Sequence, residues 1–521
     1  MKRFNRSALA AASALLLVAS AATVSVGLEA PARFDARAYL KTHGYLPLRG
    51  VATLENAKAH AAASVQQGHT TDVPSRAAAP ITGSSWQGTA SSAVSPPDPN
   101  GAIGPSSYIE VVNQRIVIYG RGGKQIAGAP FDRLTGNGNA TDPMILWDPD
   151  TQRFFYNVLN VSNAKMDWGF SKTATPTSIP GSFCHYETGF GYSPTSIPDY
   201  PKLGQTKDYL LIGDNFYPTA NSDAATSADL LWIAKPQGSG EVTTCPAGGS
   251  FASGKVTDLR NADDSQTFTP IPAIQTDPSG AGYVVSMSDI ECPPTCGTGT
   301  TITAFSVTDA GGVPSVSEPT SMTVGSYQSP PNAPQPGTSN RLDTLDGRLT
   351  HAVSGYDPTF ATTTVWVAHA VKGGAGSKIR WYEIDPVLGT VVQSGAVKSQ
   401  QYVFDPGISN DRTCTASECA HGAAMVLGFT TSSSTRYPAI RMVSKVGTAA
   451  QSGSVLIKIS SVSDTGFTCS PCRWGDYGGA TPDPAASLTG STGAVWLSNQ
   501  WTNGGSAFSS GDRTWNWQAH P

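Results

Sequence analysis

An Asp-Pro pair followed within a few residues by a short β-branched or aromatic run recurs along this chain, and that unit restricts the fold more than any other feature. It appears as Asp148-Pro149 before Phe154-Phe155-Tyr156-Asn157-Val158 and as Asp277-Pro278 before Tyr283-Val284-Val285. Asp357-Pro358 before Thr364-Val365-Trp366-Val367-Ala368 and Asp483-Pro484 before Ala494-Val495-Trp496-Leu497-Ser498 are two more copies, and Asp98-Pro99 before Tyr108-Ile109-Glu110-Val111-Val112 is a looser one. An Asp carboxylate accepts hydrogen bonds from backbone N–H groups of a turn while Pro fixes φ, so the pair starts a tight reversal between antiparallel strands. Apolar runs before the turn, as at Ile145-Leu146-Trp147, supply the first strand of each hairpin.

Glycine and proline, 54 and 38 of 521 residues, interrupt any long helical pattern and exclude a mainly helical protein. Hydrophobic residues at 39% and 11 Trp exclude global disorder, because such a chain can bury enough apolar surface to offset its ordering entropy. Repeated hairpins over 81–521 with no helices between them predict an all-β fold built by radial repetition, a β-propeller of about seven blades. Two tandem β-sandwiches are the alternative. Charged residues are 14% with a formal net charge of −4, which leaves no basic field for nucleic acid or for an anionic membrane surface.

Lys2, Arg3 and Arg6 precede an apolar stretch from Ala8 to about Val26, and Ala19-Ser20-Ala21 offers a small-x-small cleavage site. The pattern predicts a signal peptide over 1–21, with an uncleaved anchor helix as the alternative, and no membrane association after cleavage. An Ala-rich leader or pro-segment over 22–80 follows, then the propeller over 81–521, in a secreted or periplasmic monomer. Eight cysteines in an exported chain predict disulfides. Near neighbours are Cys292 with Cys296, Cys414 with Cys419 and Cys469 with Cys472, leaving Cys184 and Cys245. A zinc site from Cys414, Cys419, His421, Cys469 and Cys472 is the competing reading; disulfides are favoured, so no metal and no cofactor is expected.

Several phrases carry a resemblance: Pro96-Pro97-Asp98-Pro99-Asn100-Gly101-Ala102-Ile103-Gly104-Pro105, Asp199-Tyr200-Pro201-Lys202-Leu203-Gly204, Ile379-Arg380-Trp381-Tyr382-Glu383, Tyr437-Pro438-Ala439-Ile440-Arg441 and Arg473-Trp474-Gly475-Asp476-Tyr477. In these the chain resembles exported bacterial β-propeller proteins of sialidase-like type. The resemblance implies a propeller and no particular reaction. The S-x-D-x-G-x-x-W turn of true sialidases is not matched by the nearest phrase, Ser509-Ser510-Gly511-Asp512-Arg513-Thr514-Trp515, so no catalytic residue is carried over.

No G-x-S-x-G, H-E-x-x-H, P-loop or Rossmann fingerprint occurs, which removes support for serine-hydrolase, zincin and nucleotide roles. Carboxylates remain, because glycosidic hydrolysis needs two of them facing across a sugar. Asp142, Asp199, Asp208, Asp214, Asp343, Asp346 and Asp476 are the candidates, each set against an ordinary turn-capping role. Asp476 is placed first and Asp142 second, as catalytic residues. Arg473, Trp474 and Tyr477 around Asp476 offer a charge partner and stacking faces for a sugar, and on an extended strand Trp474 and Asp476 would share one face. Arg348, Arg380 and Arg441, in or beside strands of three blades, are expected either to converge on an acidic ligand or to bridge blades; Arg348 and Arg441 are carried forward as substrate-binding residues. His351 and His369 read as core residues. Two functions stay open: a propeller that recognises or processes a glycan in its central pocket, as a glycoside hydrolase or lyase, and a non-catalytic propeller for adhesion or protein binding to a cell-surface ligand.

Overall fold

The computed structural model describes residues 77–90, 94–219, 222, 225–278, 281–288, 290, 297–465, 471–504 and 512–521. The predicted signal peptide and nearly all of the leader lie outside them. Seven sheets of four or five strands, antiparallel except where Ile274–Gln275 adds in parallel to Leu349–Asp357, are arranged as the blades of a propeller. Their innermost strands are, in order, Asn100–Ile103, Ala140–Asp148, Ile197–Gln205, Thr267–Pro272, Leu349–Asp357, Tyr402–Asn410 and Gly479–Pro482. Each packs on the next, and the last returns to the first, which closes a ring and removes the tandem-sandwich alternative. Blade 7 is composite: its outer strand is Ile81–Ala90, paired antiparallel with Asp512–His520 so that Trp86 faces Asn516.

Blades bury both faces, and strands such as Arg153–Asn160 are buried at every position, so they read as continuous runs rather than period-two patterns. The core is accordingly divided among the blade interfaces. Ile109, Val111, Tyr156 and Val158 lie in one cluster between blades 1 and 2, and Val426, Met442, Leu497 and Trp517 in another between blades 6 and 7. At the closing seam Tyr108 and Tyr119 of blade 1 pack with Trp496 of blade 7. Trp86 completes that seam, with its ring 5.5 Å from Trp496 and 5.7 Å from Tyr108.

The Asp-Pro unit divides into two kinds. Asp148, Asp357 and Asp483 close first-to-second-strand hairpins, and their Oδ1 atoms accept from Asp150, Thr359 and Ala485 N–H at 3.1, 2.6 and 2.9 Å. Asp385 ahead of Pro386 does the same toward Val387 at 3.0 Å, a copy the sequence reading passes over. Asp277 instead accepts from Arg412 at 2.7 Å and from Tyr356 N–H at 2.7 Å.

Asp98 belongs to the second kind, together with Asp142, Tyr200, Thr269 and Asp405: each precedes a proline and has φ between 49° and 58°. In blades 2, 3, 4 and 6 this residue interrupts the register of the innermost strand. Proline has no N–H for a ladder, and pre-proline residues avoid the right-handed helical region, so a bulge is where X-Pro fits inside a sheet. Glycine then lets neighbouring innermost strands meet backbone to backbone: a Cβ on Gly407 would stand 2.7 Å from Gly478 O.

Candidate functional site

The X-Pro bulges turn their residues toward one end of the ring, where they meet the segments that lead into blades 5 and 7. Asp142 N–H donates to Asn113 Oδ1 at 2.8 Å, and Asn113 Nδ2 donates to Asp98 Oδ2 at 2.8 Å. Asp98 Oδ1 accepts from Asp476 N–H at 2.9 Å, and Tyr200 Oη donates to Asp476 O at 2.8 Å. Arg473 Nη2 spans both oxygens of Asp476 at 2.8 and 2.6 Å. Blades 1, 2, 3 and 7 are thus joined through four short links.

Lys202 sits inside this frame. It is wholly buried, its Nζ lies 2.9 Å from the centroid of the Tyr477 ring and 3.9 Å from that of Tyr200, and it has no hydrogen-bond partner among the described residues. The two rings stand edge to face, 5.7 Å apart. Ring faces are negative, so they partly replace the water that an ammonium loses on burial. Burial still drives the Lys202 pKa down, while Asp98, Asp142 and Asp476 oppose that fall. Arg348 also stands over the Tyr200 ring, 4.5 Å from its centroid, and its Nε donates to Asp346 Oδ1 at 2.9 Å.

Carboxyls outnumber cations here, and burial raises them. Asp98 and Asp405 are pushed well up, chiefly by burial, and Asp476 rises for the same reason against the pull of Arg473. Asp142 is pushed up to about 6 by burial and by the Asp476 charge, with Lys202 and Arg473 opposing. Asp142 and Arg473 are half-buried, whereas Asp98, Tyr200, Lys202, Arg348, Asp476 and Tyr477 are buried. The cluster therefore reaches solvent through Asp142 and Arg473.

Two long connections cover this end. Asp343 N–H donates to Cys472 O and Cys472 N–H to Arg341 O, at 2.9 and 2.8 Å, which ties the segment before blade 5 to the one before blade 7. Gln335 and Asp464 add bonds at 2.9 and 2.7 Å. The same pairing carries Asp343 to within 3.9 Å of Arg473.

Of the residues proposed from sequence, Asp142, Asp476, Arg473, Tyr477 and Arg348 are brought together, with Asp199, Asp343 and Asp346 beside them. Residues 473–478 form no strand, so the expected alternation does not hold: Trp474 is buried against Phe404 with its Nε1 donating to Thr430 Oγ1 at 3.3 Å, away from Asp476. Arg441 is not in the cluster; it lies on the third strand of blade 6, Arg436–Val446, and lines a cavity between blades 5 and 6. Arg380, on the third strand of blade 5, donates to Gly325 O; because Arg348 leads into that same blade, the three arginines come from two blades and not from three. Asp214 pairs with Tyr192 within blade 3, and Asp208 lies in a hairpin of the same blade. His351 and His369 are buried, bonded to Ala480 O and Gly347 O, and held down to about 4 by burial.

Lys202, Tyr200 and Asp98 were not among the sequence candidates for the site. Their signal was present in X-Pro dipeptides at the start of successive blades, and in the phrases that carry the family resemblance, three of which converge here. Cys184 is bonded to Cys245 and Cys414 to Cys419, so the latter pair is not available as zinc ligands. Cys472 is also disulfide-bonded, while Cys292, Cys296 and Cys469 lie outside the described residues.

No protein-family model matches the chain, and no curated protein matches it in sequence. Among solved structures it is similar to a mutant of Synechocystis apocarotenoid oxygenase, with a TM-score of 0.38 and 8% identity over 69% of this chain and 71% of that one. It is similar to Penicillium chrysogenum alpha-L-arabinanase complexed with arabinobiose, TM-score 0.33, 11% identity, over 73% and 93% of the two chains. The Dos1 propeller aligns at 0.34 and 11% identity over 84% and 94%. Likenesses this distant transfer no substrate and no catalytic group; the architecture rests on the chain's own seven sheets.

Proposed function

We propose that the cluster at the covered end of the ring is a glycan-processing site in an exported, monomeric propeller, with Asp142 and Asp476 as its carboxyl pair. The observation that carries this is a half-buried carboxyl, Asp142, at the edge of a cluster that holds Asp476, two tyrosine rings and two arginines, with burial and the Asp476 charge raising it to about 6. Glycoside hydrolysis needs one carboxyl that keeps its proton near neutral pH to protonate the departing oxygen, and one that is ionised to activate water or attack the sugar. Asp142 suits the first role. Asp476, whose two oxygens both accept from Arg473 Nη2, suits the second. As the C–O bond breaks, the Asp142 proton goes to the leaving sugar and a water supplies the hydroxyl and restores the proton. Arg473, on the solvent side beside Asp142, binds and orients the sugar, Tyr477 and Arg348 hold the cluster from behind, and the paired cysteines fit an oxidising compartment.

The saturation of the buried groups by one another favours a second reading, a non-catalytic propeller whose cluster is a structural clasp. Asp142→Asn and Asp476→Asn separate the two on a polysaccharide panel. The catalytic reading expects turnover to fall by about 10²–10⁴-fold with no loss of stability. Unchanged activity per folded molecule, or no turnover of any panel member by the unaltered protein, leaves only the clasp.

A further inference from the structure

We propose that the cavity between blades 5 and 6 is a second ligand site, separate from the central cluster, that binds an acidic saccharide. Its volume is about 580 Å³, within the range of roughly 300–1,000 Å³ typical of small-molecule sites. Its walls come from the end of the outermost strand of blade 5, Thr390–Val397, and from the middle strands of blade 6, Ala424–Ser433 and Arg436–Val446.

Three observations define the ligand. Lys398, Arg436 and Arg441 all line the cavity and no Asp or Glu does, so its field has one sign and favours an anion. Hydroxyls and amides make up most of the remaining wall, including Gln401, Thr431, Ser433 and Ser454, and they both donate and accept as a polyol requires. Phe429 and Val443 supply an apolar floor for the C–H face of a sugar ring. An inorganic anion would meet the charges but leave the floor and most of the volume unfilled.

The wall is also ordered by bonds that do not depend on a ligand. Arg441 Nη1 donates to Ser454 Oγ at 3.5 Å, which holds the guanidinium against the 451–454 wall. Trp381 Nε1 donates to Gln451 Oε1 at 2.6 Å and sets the far side.

The test is calorimetric titration of the full chain with a galacturonic acid trimer, a galactose trimer and inorganic phosphate. The acidic trimer is expected to bind, the neutral trimer to bind at least about tenfold more weakly, and phosphate to displace neither; affinity for the acidic trimer should fall with added salt. Arg441→Gln should weaken it about tenfold or more, and Lys398→Glu, at an exposed position, should do so without touching the fold. Asp142→Asn and Asp476→Asn should leave it unchanged, which separates this site from the central one. No binding of the acidic trimer at millimolar concentration, equal binding of the neutral trimer, binding lost with Asp142→Asn, or binding indifferent to both cavity variants would each overturn the assignment.

Discussion

Replacing Asp142 by Asn should make the protein more stable at neutral pH and no more stable in acid. The Asp142 carboxyl is raised from 3.8 to about 6 by burial and by Asp476, so the folded chain holds that proton to a higher pH than the unfolded chain does. Folding is therefore penalised progressively between about pH 4 and pH 6, and fully above that. At about 1.36 kcal/mol per pKa unit the penalty comes to about 3 kcal/mol, and screening at a half-buried carboxyl reduces it to about 1–3 kcal/mol. Asn removes the charge, still accepts the Tyr200 N–H, and tolerates φ of 54° better than most residues. Urea unfolding of both proteins at pH 4 and pH 7.5 measures the difference. A gain confined to the higher pH supports the reasoning. Equal or lower stability of the variant at pH 7.5, or a gain of the same size at pH 4, would mean that Asp142 is not held protonated by its surroundings.

Lys202→Met should move the Asp142 titration above about 6, since the ammonium now pulls it down; an unmoved midpoint by NMR would show that Lys202 is already neutral. Lys235→Met strands Asp148, its buried partner at 2.7 Å, and should cost about 3–5 kcal/mol in denaturant unfolding, with little change if the pair is dispensable. Gly407→Ala pushes a methyl against the Gly478 carbonyl and should cost about 1–3 kcal/mol or more, whereas a neutral result would mean that the innermost strands can part. Removing the Cys184–Cys245 bridge opens a loop spanning 61 residues and should cost about 4 kcal/mol by chain entropy; thiol labelling of the native chain should find none of Cys184, Cys245, Cys414, Cys419 or Cys472 free.

The blade hairpins were legible because their cause is local: Asp148, Asp357 and Asp483 each bind an N–H two residues on, which a dipeptide announces by itself. Asp476, Arg473 and Tyr477 were legible as a group because they are adjacent in sequence. What sequence spacing does not contain is which strand of a blade faces the axis. Arg348 and Arg441 both read as strand-borne arginines, yet one enters an innermost strand and the other lies third from the axis, so only the first meets Tyr200. Lys202 escaped for a related reason. A lone lysine in an apolar strand acquires meaning only when Asp98, Asp142 and Asp476 arrive from other blades. Residues 473–478 looked like a strand by composition, but the Arg341–Cys472 pairing holds that segment as a cover instead.

The composite last blade sets an order of events. Synthesis produces Ile81–Ala90 early and Asp512–His520 at the end, so the strand made first is the one that must wait longest for its neighbour. During that wait six blades can assemble, and the outer side of Asp512–His520 remains an open row of backbone donors and acceptors once it forms. Such an edge accepts any strand of suitable sequence, including the same segment from a second molecule. Closure within one chain is independent of concentration, whereas exchange between chains grows with it, so crowded refolding should yield strand-swapped oligomers in place of closed rings.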